Sequence, residues 1–248
     1  MKSFGLIGKK LTHSFSKKYF EDKFKKENLE NHNYELFELE TIDAFKGLIS
    51  DNPLINGLNV TIPYKQLIIP FLDDLDESAA KVGAVNTIKV EYNNNKSKLI
   101  GYNTDFLGFK NSLVHWIDRQ ELKALVLGTG GAAKAVCTAL EELSIRFKQV
   151  SRNEAKGITY RHLMDNPNYI EDHELIINTT PVGMYPNVDS LPLLPYNLIN
   201  ESHFLYDLVY NPELTSFLKQ GQLKGAKIKN GLEMLHLQAE YSWEIWKR

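Results

Sequence analysis

Apolar and polar positions change period repeatedly along this chain. Phe4 to Ile7 is a short apolar run ending at Gly8, whereas Ser16 to Asn28 places Tyr19, Phe20 and Phe24 at helical spacing. Strand, loop and helix are predicted. The alternation recurs: Tyr34 to Leu39 reads as a strand, Ile42 to Ile49 as a helix, and Ile55 to Val60 as a strand broken by Pro63. Such alternation predicts a largely parallel sheet. Val85 to Tyr92 and Lys98 to Tyr102 flank the polar cluster Asn93-Asn94-Asn95, which predicts a hairpin and adds antiparallel strands to this lobe.

Leu107 to Trp116 reads as an amphipathic helix leading to a second region. Leu122 to Leu127 opens that region as an apolar run suited to a strand buried on both faces, and a glycine-rich turn and the helical segment Ala132 to Leu143 follow at once. Phe147 to Ser151, Leu175 to Asn178 and Phe204 to Leu208 are further strand predictions. Between the last two lies a loop containing Pro181, Pro186, Pro192 and Pro195, longer than an ordinary connection and therefore a place to look for function. Glu213 to Leu218 and Leu232 to Trp246 read as helices, and no internal repeat or low-complexity segment interrupts the pattern.

The turn after Leu127 carries chemistry. Gly128-Thr129-Gly130-Gly131-Ala132-Ala133 fits G-x-G-x-x-A between a strand and a helix. In that setting the first glycine permits a tight turn, the second lets backbone approach a pyrophosphate, and the third small residue lets helix and strand pack closely. The N–H groups at the helix start favour the anion. An NAD site commonly places an acidic residue about 20 residues further on. Here the next strand ends in Ser151-Arg152-Asn153. A guanidinium suits a 2′-phosphate and no carboxylate at the strand end repels it, so NADP is favoured over NAD. The plainer alternatives are a glycine turn used for packing and a surface arginine.

The first lobe holds a second group of polar residues. Ser14 and Ser16 follow the first strand, where their hydroxyls can cap a helix or hold a carboxylate. In Asn59-Val60-Thr61-Ile62-Pro63-Tyr64-Lys65, Asn59 and Thr61 alternate with apolar positions at a strand end, and Lys65 opens the next helix. A cation there gains nothing from the helix dipole, so Lys65 is either solvated or held for chemistry. Asn86-Thr87 and Asn103-Thr104-Asp105 add short hydrogen-bonding side chains that caps and turns also explain. Their accumulation beside a dinucleotide motif suits a small polyhydroxylated substrate.

Composition narrows the partners. The 248 residues allow one or two domains, and 43% hydrophobic with 24% charged residues excludes a disordered or repetitive chain. With 29 Lys and Arg against 31 Asp and Glu, the net charge of -2 provides no basic field for nucleic acid. The single Cys137 excludes an internal disulfide framework and a cysteine zinc cluster, which fits a reducing cytoplasm. Residues 1–8 lack the apolar core of a secretory signal, and no run approaches the roughly 20 apolar residues of a membrane span. The 7 histidines show no metal-ligand spacing, and His13 and His236 read as structural.

Taken together, these segments resemble shikimate dehydrogenases. The resemblance is carried, in the family's order, by Ser14-Phe15-Ser16, Asn59 to Lys65, Gly83-Ala84-Val85-Asn86-Thr87, Gly101-Tyr102-Asn103-Thr104-Asp105, Gly128 to Ala132, Asn178-Thr179-Thr180-Pro181-Val182-Gly183-Met184, Tyr206-Asp207-Leu208-Val209-Tyr210-Asn211-Pro212 and Gly231-Leu232-Glu233-Met234-Leu235. It implies a two-domain α/β fold: residues 1–105 with 232–248 as a substrate-binding catalytic domain with a mixed sheet, and 106–231 as a Rossmann-type, doubly wound NADP-binding domain. It implies NADP-dependent, reversible reduction of 3-dehydroshikimate to shikimate in aromatic amino acid biosynthesis.

The resemblance also implies residue roles. Lys65 and Asp105 would form the catalytic pair. Ser14, Ser16 and Tyr210 would hold the substrate carboxylate, while Asn59, Thr61, Asn86, Thr104, Asp105 and Gln238 would complete the substrate site. Gly128, Gly130, Gly131, Ala132, Ser151, Arg152, Lys156, Thr179, Met184, Gly231 and Met234 would line the cofactor. The chain departs from the family's common pattern at Ser151-Arg152-Asn153, at Phe106 in place of glycine and at Lys17 in place of proline. Two other readings remain: a quinate or shikimate dehydrogenase using NAD, and a catalytically silent NADP or shikimate sensor. No metal, nucleic acid or membrane partner is expected, and the sequence accommodates a monomer or a homodimer.

Overall fold

Two six-stranded sheets organise the chain. The structure, a computed structural model, describes residues 2–11, 14–93, 96–117 and 121–248. Asn94 and Asn95 of the expected hairpin turn, and His13, lie outside the described residues. Residues divide into two units, Met1–Thr104 with Ala239–Arg248, and Asp105–Gln238.

The sheet of the first unit contains β1 (Lys2–Gly8), β2 (His32–Glu38), β3 (Ile55–Val60), β4 (Asp74–Leu75), β5 (Thr87–Asn93) and β6 (Lys96–Tyr102), in the order β2-β1-β3-β5-β6-β4. β1 runs parallel to β2 and β3, whereas β5 is antiparallel to both β3 and β6. The predicted hairpin thus makes the sheet mixed. Helices α1 (Phe15–Lys26), α2 (Phe45–Asp51), α3 (Tyr64–Leu67) and α4 (Glu77–Val82) complete this part of the chain.

Strand alternation sorts the core onto two faces. Phe4 and Leu6 join Phe20, Phe24, Tyr34, Trp243 and Trp246, whereas Ile7 joins Phe45, Ile55, Leu58 and Val60. The aromatic face is closed by the end of the last helix, α10 (Leu232–Lys247). Trp246 lies directly over Gly57, where an added Cβ would stand 2.3 Å from the indole, and its Nε1 donates to the Ile88 carbonyl at 3.0 Å. Gly57 is required there by close approach.

The second unit contains α5 (Thr104–Val114, after its first residue), β7 (Lys123–Leu127), α6 (Gly131–Glu142), β8 (Arg146–Ser151), β9 (Ile158–Thr159), α7 (Tyr160–Asp165), α8 (Asn168–Glu171), β10 (Leu175–Asn178), β11 (Phe204–Asp207), α9 (Ser216–Leu223) and β12 (Lys227–Lys229). All its strands are parallel, in the order β12-β11-β10-β7-β8-β9. This is the doubly wound order of dinucleotide-binding sheets, which reverses direction between β7 and β10. Ala124–Leu127 and all of β10 and β11 are buried, as their unbroken apolar runs predict.

Several elements differ from the expectation. The helix read at Glu213 to Leu218 lies at Ser216–Leu223, because Thr215 caps it by accepting the Leu218 N–H. The two units meet inside two helices, after Thr104 in α5 and after Gln238 in α10. In the second unit α5 packs closely on α10: a Cβ at Gly108 would stand 2.8 Å from the Met234 carbonyl oxygen. Phe106 is buried within a regular α5, so the absence of glycine there leaves the helix intact.

Candidate active site

In the first unit the polar residues form a buried network. The Tyr34 hydroxyl donates to Asn59 Oδ1 at 2.8 Å, which orients the amide so that Asn59 Nδ2 donates to Ser242 Oγ at 3.0 Å and Thr87 Oγ1 at 3.3 Å. Asn86 is fixed in the same way. Its Oδ1 accepts the Thr104 N–H at 2.7 Å, and its Nδ2 donates to Thr104 Oγ1 at 2.9 Å. The hydroxyls of Thr87 and Ser242 share a hydrogen bond of 2.8 Å, and each lies 3.2 Å from the Thr104 hydroxyl. Asn59, Asn86, Thr87, Thr104 and Ser242 are all buried, so each bond acts where an unmade one is costly.

The network brings Asn59, Asn86 and Thr104 together. Sequence reasoning missed Tyr34 and Ser242 as members. Ser242 lies one helical turn beyond Gln238 in α10, and that i, i+4 spacing was the available signal. Asp105 follows Thr104 directly, buried in the first turn of α5, where the helix dipole favours a carboxylate.

Lys65 lies in α3, a helix of only 4 residues. Every residue in so short a helix is near both ends, so the helix dipole has little net effect on Lys65. Backbone bonds hold the lysine instead. Its carbonyl accepts the Val85 N–H at 2.7 Å, and Val60 N–H reaches the Asn86 carbonyl at 2.8 Å, tying both motifs to one place. Thr61 N–H donates to the Ile7 carbonyl at 2.9 Å, and the threonine methyl would lie 2.7 Å from a Cβ on Gly8. Ser14 caps α1 by accepting the Lys17 N–H at 3.3 Å. Ser16 is hydrogen-bonded to Tyr34, whose phenol burial pushes above its ordinary pKa.

The second unit places its motifs along the carboxyl ends of the strands. Gly128 adopts φ of +114°, and a Cβ there would stand 2.7 Å from Thr179 Oγ1. Both demands require glycine. Thr179 bonds twice to the Leu127 carbonyl, through its N–H at 3.0 Å and its hydroxyl at 2.6 Å, joining the turns after β7 and β10 at the switch point. Gly130 caps α6 with extended backbone, and an added Cβ would meet nothing within 4 Å. Among the described residues, no atom demands that glycine. The open space there leaves room for a ligand to approach the backbone. Gly131 and Ala132 open a helix of 12 residues with N–H groups available to an anion, while Ala133 is fully buried and allows close packing.

Ser151, Arg152 and Lys156 share one turn. Buried Ser151 accepts the Asn153 N–H at 3.0 Å, Asn153 accepts the Ala155 N–H at 3.0 Å, and the exposed side chains of Arg152 and Lys156 flank Glu154. Among the described residues, no salt bridge engages either cation. The glycine cradle, the helix start and this cationic turn fit NADP.

The remaining predicted residues are also in this unit. Gly231 packs against the segment after β11, where any side chain is excluded because a Cβ would stand 2.1 Å from the Leu208 oxygen. Met184 is exposed on the proline-rich loop, whereas Met234 is buried in α10. Gln238 is buried and donates to the Leu235 carbonyl at 2.9 Å, and burial raises the pKa of Tyr210. Among the described residues, no group of His, Cys, Asp and Glu could hold a metal ion.

A doubly wound sheet with a glycine turn at its switch point, in one chain with a mixed sheet bearing buried amides, hydroxyls and a lysine, defines an α/β dinucleotide-binding oxidoreductase. Residues 6–88 match the family model described as the shikimate dehydrogenase substrate binding domain. Over 255 residues the chain is 42% identical to shikimate dehydrogenase (NADP(+)) of Clostridium beijerinckii, covering 100% of this chain and 92% of that protein. A crystal structure of shikimate dehydrogenase 1 from Peptoclostridium difficile shares 39% identity with a TM-score of 0.83, covering 100% of this chain and 92% of the other. The Thermus thermophilus shikimate 5-dehydrogenase, solved with NADP(H) and shikimate, shares 29% identity with a TM-score of 0.82, covering 99% and 93%. The chain belongs to the shikimate dehydrogenase family. Among the described residues, no helix is long and apolar enough to cross a membrane.

Proposed function

We propose that this chain catalyses the NADP-dependent, reversible reduction of 3-dehydroshikimate to shikimate in aromatic amino acid biosynthesis, in the cytoplasm. The observation that carries this reading is the full-length identity of 42% to an NADP(+)-dependent shikimate dehydrogenase. The presence of Lys65, Asp105, the glycine turn and Arg152 in the sequence supports it. Residues 1–105 with 232–248 form the substrate-binding domain in this reading, and 106–231 the NADP-binding domain.

When bound, NADP supplies or accepts a hydride. Gly128, Gly130, Gly131 and Ala132 hold its pyrophosphate, and Ser151, Arg152 and Lys156 hold the adenosine phosphate. Thr179, Met184, Gly231 and Met234 line the rest of its site. Ser14, Ser16 and Tyr210 bind the substrate carboxylate, and Asn59, Thr61, Asn86, Thr104 and Gln238 fix the ring. The Lys65 amino group stabilises charge that develops on the ketone oxygen or donates a proton to it. Asp105 orients that amino group and accepts a hydrogen bond from the neighbouring ring hydroxyl.

Initial rates at the NADPH absorbance band, with shikimate or quinate offered in turn with NADP or NAD, test the proposal. Shikimate with NADP is expected to give the highest kcat/KM of the four pairs. A preference for quinate with NAD would assign the enzyme to that activity instead, and tight ligand binding without turnover would make the protein a sensor.

A further inference from the structure

The ends of β10 and β11 are joined by a buried carboxylate to which the proposed chemistry gives no task. Asn178 and Asp207 are register partners at the carboxyl ends of these neighbouring strands, and both are fully buried. Asp207 Oδ1 accepts from Asn178 Nδ2 at 2.9 Å and from the Val209 N–H at 3.0 Å, while Oδ2 accepts from the Thr215 hydroxyl at 2.6 Å. All three donors are neutral. Burial pushes the carboxyl up to about 6, against the lowering effect of these bonds. Keeping such a group in the interior is costly, so its contribution must lie in the geometry that it sets.

Each donor leads to a different segment. Asn178 Oδ1 accepts the Thr180 N–H at 3.1 Å and hydroxyl at 2.6 Å, and its Nδ2 also reaches the Val182 carbonyl at 3.2 Å. That loop carries Thr179 and Met184. Val209 leads to Tyr210, and the Leu208 N–H returns to the Asn178 carbonyl at 2.9 Å. Thr215 caps α9. One carboxylate therefore sets the loop after β10, the segment after β11 and the start of α9.

We infer that Asp207 is a positioning residue for NADP: through Asn178 its carboxylate holds the Thr179–Met184 loop in the shape that the cofactor needs. This inference rests on the function proposed above. Asp207→Asn keeps an acceptor for Asn178 and Val209 and places an amide opposite Thr215, whose hydroxyl can accept. Asp207→Ala removes all three bonds.

The test is NADP+ affinity by calorimetry on the full chain, with kcat and KM for NADP+ measured in parallel. Asp207→Ala is expected to weaken NADP+ binding about 10-fold or more, of the order that one lost buried polar bond produces, with kcat at saturation changed much less. Asp207→Asn should restore affinity to within about 3-fold of the parent, as expected for a nearly isosteric replacement. Thr215→Val, which deletes one bond, provides a second measure should the alanine variant not fold. Folded Asp207→Ala with unchanged Kd and KM would overturn the inference, as would unchanged affinity in Thr215→Val. A parent protein that does not bind NADP+ would instead overturn the functional reading beneath it.

Discussion

Arg152 stands on an exposed turn whose backbone is fixed by Ser151 and Asn153 rather than by its own side chain. Its guanidinium is therefore available to a phosphate without first breaking an ion pair. Arg152→Gln is expected to weaken NADP+ by about 1.5–3 kcal/mol, the range for a charge-assisted hydrogen bond, and to leave NAD+ affinity unchanged. Titration calorimetry with both dinucleotides checks this, and equal losses for the two would remove Arg152 from the phosphate site. Cys137 behaves oppositely. Burial, with a smaller contribution from Glu141, pushes its thiol up to about 12, so at neutral pH it is the protonated, unreactive form. A single residue was legible where its chemistry is unusual for its place, as with Gly128. Ser242 was not, because apart from its i, i+4 spacing from Gln238 a serine on a helix carries no mark of the amide and hydroxyls that surround it.

Between elements, Ser242 does most to join α10 to the first sheet through polar bonds. Ser242→Ala leaves Asn59 Nδ2 and the hydroxyls of Thr87 and Thr104 each short of one partner in a buried site. The expected loss is about 1–3 kcal/mol of unfolding free energy, measured by urea denaturation. No loss at all would mean that the hydroxyls re-pair among themselves. Long elements with a clear period were readable from sequence: β1, α1, β3, β7, α6 and α10 lie within a few residues of their predicted spans. The two- and three-residue strands β4, β9 and β12 were not, since they are too short to show a period and exist because neighbouring strands offer them a register. α4 was missed for a different reason. Its boundaries are set by the Asp76 cap and by Gly83 in left-handed backbone, not by an apolar stripe.

Across the full chain, sequence made the division of labour legible before it made the division of chain legible. A polar inventory and a dinucleotide motif pointed to two tasks, and the units divide inside continuous helices, where no proline, glycine cluster or change of composition marks the place. Global stability should carry the imprint of Asp207. Its carboxyl rises from an ordinary 3.8 to about 6 on folding, so between these values the folded state holds a proton that the unfolded state has released. Its contribution is therefore fully present below about pH 4 and is lost as pH rises to 6, by up to about 3 kcal/mol from linkage. Denaturation of parent and Asp207→Asn from pH 4 to 7 checks this: the parent should lose stability relative to the variant across that window, and a constant difference would contradict it.

The proposed chemistry turns on Lys65, which serves the reduction of a ring ketone by NADPH. The decisive experiment is steady-state turnover of shikimate with NADP+ by the parent and by Lys65→Ala, each shown to bind both ligands. General acid–base or electrostatic help from a side chain predicts a fall in kcat of about 10²–10⁴-fold in the variant with substrate affinity largely kept. Near-normal kcat in Lys65→Ala, or no turnover by the parent, would deny Lys65 that role.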